Sequence, residues 1–204
     1  DLLVLVCGTS AGGKTASLRN IQKPDGVMYF NCEAGKRCPF PAKFKQYTIT
    51  DPMQVYAGFE HAAKSPDVHT IIIDSLTFMM DMYESVHVLN AADTMKQWSN
   101  FAQFFKNLMQ QYVAASDKTI IMTAHVQSIL NENEMVLEKK VPIKGALKNN
   151  GVESYFSTVI AAKVMPIEKL ESYSSPLLNI TPEGEAVGIK YIFQTMLTKE
   201  TVNE

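Results

Sequence analysis

Residues 8–15 read GTSAGGKT. Gly8, four further residues, Gly13, Lys14 and Thr15 satisfy every constrained position of the phosphate-binding pattern G-x-x-x-x-G-K-[ST]. The chemistry this pattern serves is electrostatic. Glycines let backbone N–H groups turn toward phosphate oxygens, a lysine reaches the β and γ phosphates, and the following hydroxyl holds Mg²⁺. On this reading Gly8, Thr9, Ser10, Ala11, Gly12, Gly13, Lys14, Thr15 and Ala16 form the nucleotide cradle, and Thr15 is also a metal ligand. The flanks agree with it. Leu2–Val6 is a short apolar run suited to a buried strand, and Ala16–Asn20 is suited to open a helix whose N-terminus adds roughly half a positive charge. A chance glycine-rich turn would not carry a strand and a helix start on its two sides. The chain is therefore expected to bind a nucleoside triphosphate.

Three further residues stand where strands end. Asp74 closes the apolar run Ile71-Ile72-Ile73. In a buried parallel strand that carboxylate emerges beside the phosphate loop and can orient Mg²⁺, whereas alone it would pass for an acid capping a turn. Glu33 follows Val27-Met28-Tyr29-Phe30 and could orient, or take a proton from, water attacking a γ-phosphate. Taken alone, a glutamate there is more often a solvated side chain. His125 ends the run Thr119–Ala124. A neutral imidazole donates one hydrogen bond and accepts another, so it can couple a phosphate oxygen to the segment beyond. The rival reading is an ordinary hydrogen-bonded histidine at the edge of a core.

The elements that must position these residues alternate between strand and helix. That pattern predicts an α/β fold with a mostly parallel central sheet, helices around it and antiparallel strands near the C-terminus. Asp51-Pro52-Met53-Gln54 reads as an N-cap, a first-turn proline and a capping-box partner. Trp98, Phe101, Phe105, Leu108, Met109 and Tyr112 recur at helical spacing over 94–115 and read as core. Residues 128–151 have no clean period and read as a long functional loop, and Pro182-Glu183-Gly184 as a turn between the last two strands, 157–165 and 189–197.

Composition narrows the class. The chain has 204 residues, 46% hydrophobic and 20% charged, enough for one globular core domain spanning 1–204. The net charge of −2 gives no global attraction to nucleic acid, so any such contact must be local. Cys7, Cys32 and Cys38 form neither a disulfide framework nor a zinc motif and fit a reducing, cytoplasmic setting. No apolar run is long enough to span a membrane. A first strand entered almost at once, with no initiating Met, is expected of a core cut from a slightly longer chain.

In motif order nearly the whole chain resembles RecA-family ATPases. VMYFNCEAG resembles the segment in which the family's catalytic glutamate follows the second strand, here Glu33. IIIDS with LTFMM resembles the Walker B strand and its helix, and IIMTAHV the strand that ends in a γ-phosphate sensor. RecA-like recombinases usually carry glutamine at that sensor. Histidine, here His125, is more similar to the short single-strand annealing ATPases of phages, of the Sak type. IKGALKNN resembles the end of the second DNA-binding loop.

The resemblance implies ATP and Mg²⁺ as cofactors, single-stranded DNA as a partner and a homo-oligomer, ring or filament, with ATP at subunit interfaces. A single-strand-binding protein is a further implied partner, and the host cytoplasm the implied location. It makes Glu33, Lys14 and His125 catalytic and makes Thr15 and Asp74 metal ligands. KKVPIKGALKNNG, residues 139–151, carries Lys139, Lys140, Lys144 and Lys148 with no acid, although Glu132, Glu134 and Glu138 lie upstream. Such a loop suits a phosphate backbone, and equally a solvated surface. By the same resemblance the stretch between Ser75 and Trp98, with Tyr83 and His87, would be a first DNA loop. Tyr155 and Phe156 suit stacking on bases or on a neighbouring subunit, and core equally. Lys199 matches the lysines RecA sends across its subunit interface.

Three rivals remain. A DnaB-type helicase would need a further domain for ring assembly. A small-molecule kinase would need several arginines to clamp a second phosphorylated substrate, and only Arg19 and Arg37 are present. A nucleotide-dependent regulatory switch without DNA is the third.

Overall fold

The computed structural model describes residues 2–132, 135–148, 151–173 and 175–196. Glu134 and Lys199 lie outside the described residues.

Seven strands form one sheet in the order β3-β2-β4-β5-β1-β8-β9. They are β1 (Leu3–Gly8), β2 (Val27–Asn31), β3 (Lys45–Thr48), β4 (Thr70–Asp74), β5 (Thr119–His125), β8 (Thr158–Pro166) and β9 (Ile189–Gln194). The first six run parallel to their neighbours and β9 returns antiparallel along β8. Strands β2 and β4 are buried along their whole length, which is why they read as unbroken apolar runs and not as alternation. The predicted α/β architecture is the one observed, with its antiparallel strand at the C-terminus.

Helices α1 (Gln54–Ala63), α2 (Leu76–Tyr83) and α3 (Thr94–Asn107) pack on the sheet, and α2 and α3 are prolonged by π turns over Glu84–Val88 and Leu108–Val113. The capping box before α1 is formed. Asp51 Oδ1 accepts from the Met53 N–H at 2.9 Å, and Gln54 Oε1 accepts from the Asp51 N–H at 3.2 Å. The aromatic stripe of α3 is core: Phe101, Phe105, Leu108 and Met109 are buried, with Trp98 and Tyr112 partly so. Phe156 is buried too, and Tyr155 packs edge-on against Phe105, so both serve the core.

The structure corrects four expectations. The segment after the phosphate loop is a five-residue 3₁₀ turn, Ala16–Asn20, not an α-helix. The connection to β2 is short, and a 3₁₀ turn rises further per residue than an α-helix. Its dipole is correspondingly small, so less of the cradle's positive field comes from a helix end. Residues 128–151 are not one loop. Strands β6 (Gln127–Asn131) and β7 (Val136–Lys140) make an antiparallel hairpin, followed by a 3₁₀ turn over Gly145–Lys148. Pro182–Val187 forms a short helix, α5, rather than a turn, because Thr181 caps it through the Gly184 N–H and Pro182 suits its first position. A four-residue helix, α4 (Ile167–Leu170), precedes it. The stretch after Ser75 is mostly helical, and Tyr83 is buried between Phe101 and Phe104, so the Tyr83 ring is not open to DNA. Among the described residues no helix is long and apolar enough to cross a membrane.

Candidate active site

Because β1, β2, β4 and β5 are parallel, their carboxyl ends lie along one edge of the sheet, where ligands of open α/β sheets bind. Register brings the ends level: Gly8 sits opposite His125 and Asn31 opposite Asp74. The residues expected to do chemistry therefore meet although they are far apart in sequence.

The phosphate loop departs from β1 at Gly8. A Cβ there would stand 2.3 Å from the backbone oxygen of Ala162 on β8, so only glycine lets the two strands approach. Gly13 at φ +91 and Ala11 at φ +58 turn the loop through left-handed conformations, natural for the first and costing roughly 1–2 kcal/mol for the second. Lys14 is 6% exposed, and its ammonium donates to the Gly8 and Thr9 carbonyls at 3.0 and 2.9 Å. Burial lowers its pKa, against which the charges of Glu33 and Asp74 act.

Asp74 is held by three hydroxyls. Thr15 and Tyr29 donate to Oδ2 at 2.8 and 2.5 Å, and Thr123 donates to Oδ1. A buried carboxylate satisfied by hydroxyls next to a second hard oxygen donor, Thr15 Oγ1, matches Mg²⁺, which takes few protein ligands and completes its shell with water and phosphate oxygens. The residues present fit the metal.

Glu33 lies just beyond β2, its side chain only 9% exposed. Lys36 Nζ donates to Oε2 at 2.9 Å, and His125 Nε2 lies 3.4 Å from Oε1. Burial opposes ionisation of this carboxylate, but Lys36 and His125 together hold it below the usual range. The other ring nitrogen of His125 lies 3.5 Å from Lys14 Nζ, and Phe78 packs edge-on against the ring. His125 thus stands between the phosphate-binding lysine and the second carboxylate. A cavity of about 700 Å³ opens over these groups, lined also by Arg19, Arg37, Tyr191 and Phe193.

The sequence model of the AAA domain family matches residues 1–195. The chain belongs to the AAA domain family. It is an AAA-type P-loop ATPase domain, built to bind nucleotide. No curated protein matches the chain.

Several residues of this AAA domain site escaped the reading of the sequence. Tyr29 and Thr123 precede the strand-end residues Asn31 and His125 by two positions, so each pair shares a face. That period is the signal that could have found them. Tyr191 and Phe193 alternate on β9 with exposed side chains that reach the cavity, and the Tyr191 ring lies against Gly13. Both arginines of the chain line the cavity, so the small supply is concentrated at one place.

The four lysines expected to meet DNA do not share one surface. Lys140, Lys144 and Lys148 line a cavity of about 1040 Å³ between α2 and the β6–β7 hairpin. Lys139, its neighbour on β7, lines a separate cavity of about 220 Å³ with Lys163 and Lys169. The charge is opposed, as the upstream acids suggested, by Glu138 and also by Glu84. Lys140 pairs with Glu138 at 2.5 Å, and Lys144 pairs with Glu84.

Proposed function

We propose that this AAA domain hydrolyses ATP and binds single-stranded DNA, acting in recombination or strand annealing as a homo-oligomer with ATP at subunit interfaces. The observation that carries the reading is the position of His125. Its ring lies between Lys14 and Glu33, while its backbone N–H donates to Thr77 Oγ1 at 3.3 Å, and Thr77 lines the lysine-bearing cavity. The state of the nucleotide and the state of the basic surface therefore share one residue.

In this reading the phosphate loop and Lys14 hold the triphosphate, and Tyr191 and Phe193 offer aromatic faces to its base. Thr15 and Asp74 would hold Mg²⁺, which would supply positive charge against the phosphates. Glu33 orients a water for attack on the γ-phosphorus and takes its proton as the bond to the β-phosphate oxygen breaks. His125 senses the γ-phosphate and passes its presence through Thr77 to the hairpin. Lys140, Lys144 and Lys148 follow the DNA backbone from one side of that hairpin, and Lys139 from the other.

The test is ATP hydrolysis with and without single-stranded DNA, with Lys14→Ala as the blank. DNA should stimulate turnover, and replacing Lys139, Lys140, Lys144 and Lys148 with Ala should weaken DNA binding while ATP binding stays intact. Absence of both stimulation and salt-sensitive DNA binding overturns the DNA part. Loss of ATP binding in the four-lysine variant overturns the assignment of the lysines.

A further inference from the structure

Residues 31–36 read NCEAGK and form a closed turn around Glu33. Asn31 is buried at the end of β2, and its amide spans the turn. Its Oδ1 accepts from the Glu33 N–H at 3.0 Å, and its Nδ2 donates to the Lys36 carbonyl at 2.7 Å. The Lys36 N–H closes the loop on the Glu33 carbonyl at 3.0 Å. Ala34 at φ +50 and Gly35 at φ +80 reverse the chain between them. The result returns the Lys36 ammonium to Oε2 of Glu33.

The pairing is lopsided. The Lys36 side chain is 69% exposed and that of Glu33 is 9%. A solvent-exposed lysine ordinarily gains little from such a pair, because holding a long side chain in place costs entropy. Here the turn brings the two together from three residues apart. One carboxylate oxygen is thereby fixed, and the other is left toward His125, which stands between it and Lys14. The charged and titratable groups that interact with Glu33 are Lys36 from its own turn, the neighbouring Cys32, His125 from β5 and Lys14 from the phosphate loop.

We propose that Asn31 and Lys36 are positioning residues for Glu33: the Asn31 amide shapes the turn, and the Lys36 ammonium anchors Oε2 so that Oε1 faces the nucleotide's attacking water. Lys36 also keeps the carboxylate ionised, the form a base requires. The inference rests on Glu33 acting as the base in ATP hydrolysis, and its test separates the two ideas.

ATP hydrolysis is measured against pH on the whole chain for Glu33→Gln, Lys36→Met, Lys36→Arg and Asn31→Ala. Glu33→Gln tests the base alone: wild-type turnover in that variant removes the base reading, whatever Lys36 does. With that turnover lost, Lys36→Met is expected to lower kcat on the order of 10-fold, the scale of a misplaced catalytic group. KM for ATP should stay within about 2-fold, because the Lys36 ammonium is engaged by Glu33 and not by a phosphate. The acid limb of the kcat profile should move to higher pH, since the carboxylate has lost its cation, and Lys36→Arg should restore both. Asn31→Ala should lower kcat with an unchanged nucleotide Kd. Should it fail to fold, Lys36→Met, on an exposed side chain, carries the test. A wild-type kcat and acid limb in Lys36→Met overturns the inference, as does an effect confined to KM.

Discussion

Tyr29→Phe is a small change with a calculable consequence. The Tyr29 ring is buried, and its hydroxyl donates to Asp74 Oδ2 at 2.5 Å. Phenylalanine keeps the ring, its stacking on Phe44 at 6.0 Å and nearly all of its volume, so no large cavity opens. What is lost is one hydrogen bond to a charged group, worth about 1.5–3 kcal/mol. Asp74 retains Thr15 and Thr123, so it is not stranded. Stability should fall by about 1.5–3 kcal/mol, and for a chain of this size, at about 2–4 °C per kcal/mol, Tm should fall by about 3–12 °C. The assay is urea unfolding followed by circular dichroism, with EDTA and without nucleotide, on wild type, Tyr29→Phe, Asp74→Asn and the double variant. In the Asp74→Asn background the bond is no longer charge-assisted, so the same Tyr29→Phe change should cost only about 0.5–1.5 kcal/mol. A Tyr29→Phe protein as stable as wild type refutes the reasoning. So does an identical loss in both backgrounds, which would place the effect in packing and not in the carboxylate.

Two further outcomes are expected. Glu33 is held below its ordinary 4.5, with burial outweighed by Lys36 and His125, so the unfolded carboxylate takes up its proton first as the pH falls. Its contribution to stability is whole above pH 4.5 and is lost as the pH falls through the native value. The stability gap between wild type and Glu33→Gln, read from urea midpoints, should narrow from neutral pH into the acid range, and a widening gap would contradict the assignment. Single-stranded DNA binding should show a salt slope set by the four lysines. At about 0.7 per phosphate, Lys140, Lys144 and Lys148 on one cavity should supply a slope of log K against log salt of about −2 and Lys139 on the other side about −0.7 more, so Lys139→Ala should reduce the slope by about a quarter.

The fold was legible because its strongest determinants are local and one-dimensional. Ile71-Ile72-Ile73 reads as a β-branched strand buried on both faces, and the spacing of Phe101, Phe105 and Leu108 as a helix with an apolar side. The site was legible as far as its residues terminate such strands: Gly8, Asp74 and His125 each do, and Glu33 follows one. Tyr29, Thr123, Asn31 and Lys36 were not, because each acts through a partner supplied by register or by a turn. Asn31 shapes the turn only because Ala34 and Gly35 reverse the chain. The hairpin at 127–140 was missed for a related reason. Ile129, Leu130 and Leu137 are exposed on it, so no buried face imposes the period-two pattern by which strands are read.

The ion pairs on the hairpin side sharpen what a lysine-rich segment can mean. A charge count along residues 139–151 treats every lysine as facing one partner, whereas β7 sends Lys139 and Lys140 to opposite faces. On the larger cavity, Glu138 and Glu84 already hold Lys140 and Lys144. Both lysine side chains are about half exposed while those of Glu138 and Glu84 are largely covered, so each ammonium keeps a solvent-facing side from which it can also meet a phosphate. The acids therefore do not veto a DNA strand. Without a strand they keep the basic surface near neutrality. Glu84 belongs to the π turn that prolongs α2, and α2 also carries Thr77, the hydroxyl bonded to the backbone of His125. Freeing Lys144 from Glu84 would release that turn at one end of α2, while the nucleotide acts through His125 at the other. In the proposed function α2 would be the element on which the two events meet, and coupling between ATP and DNA should be lost by uncoupling α2 even when both ligands still bind.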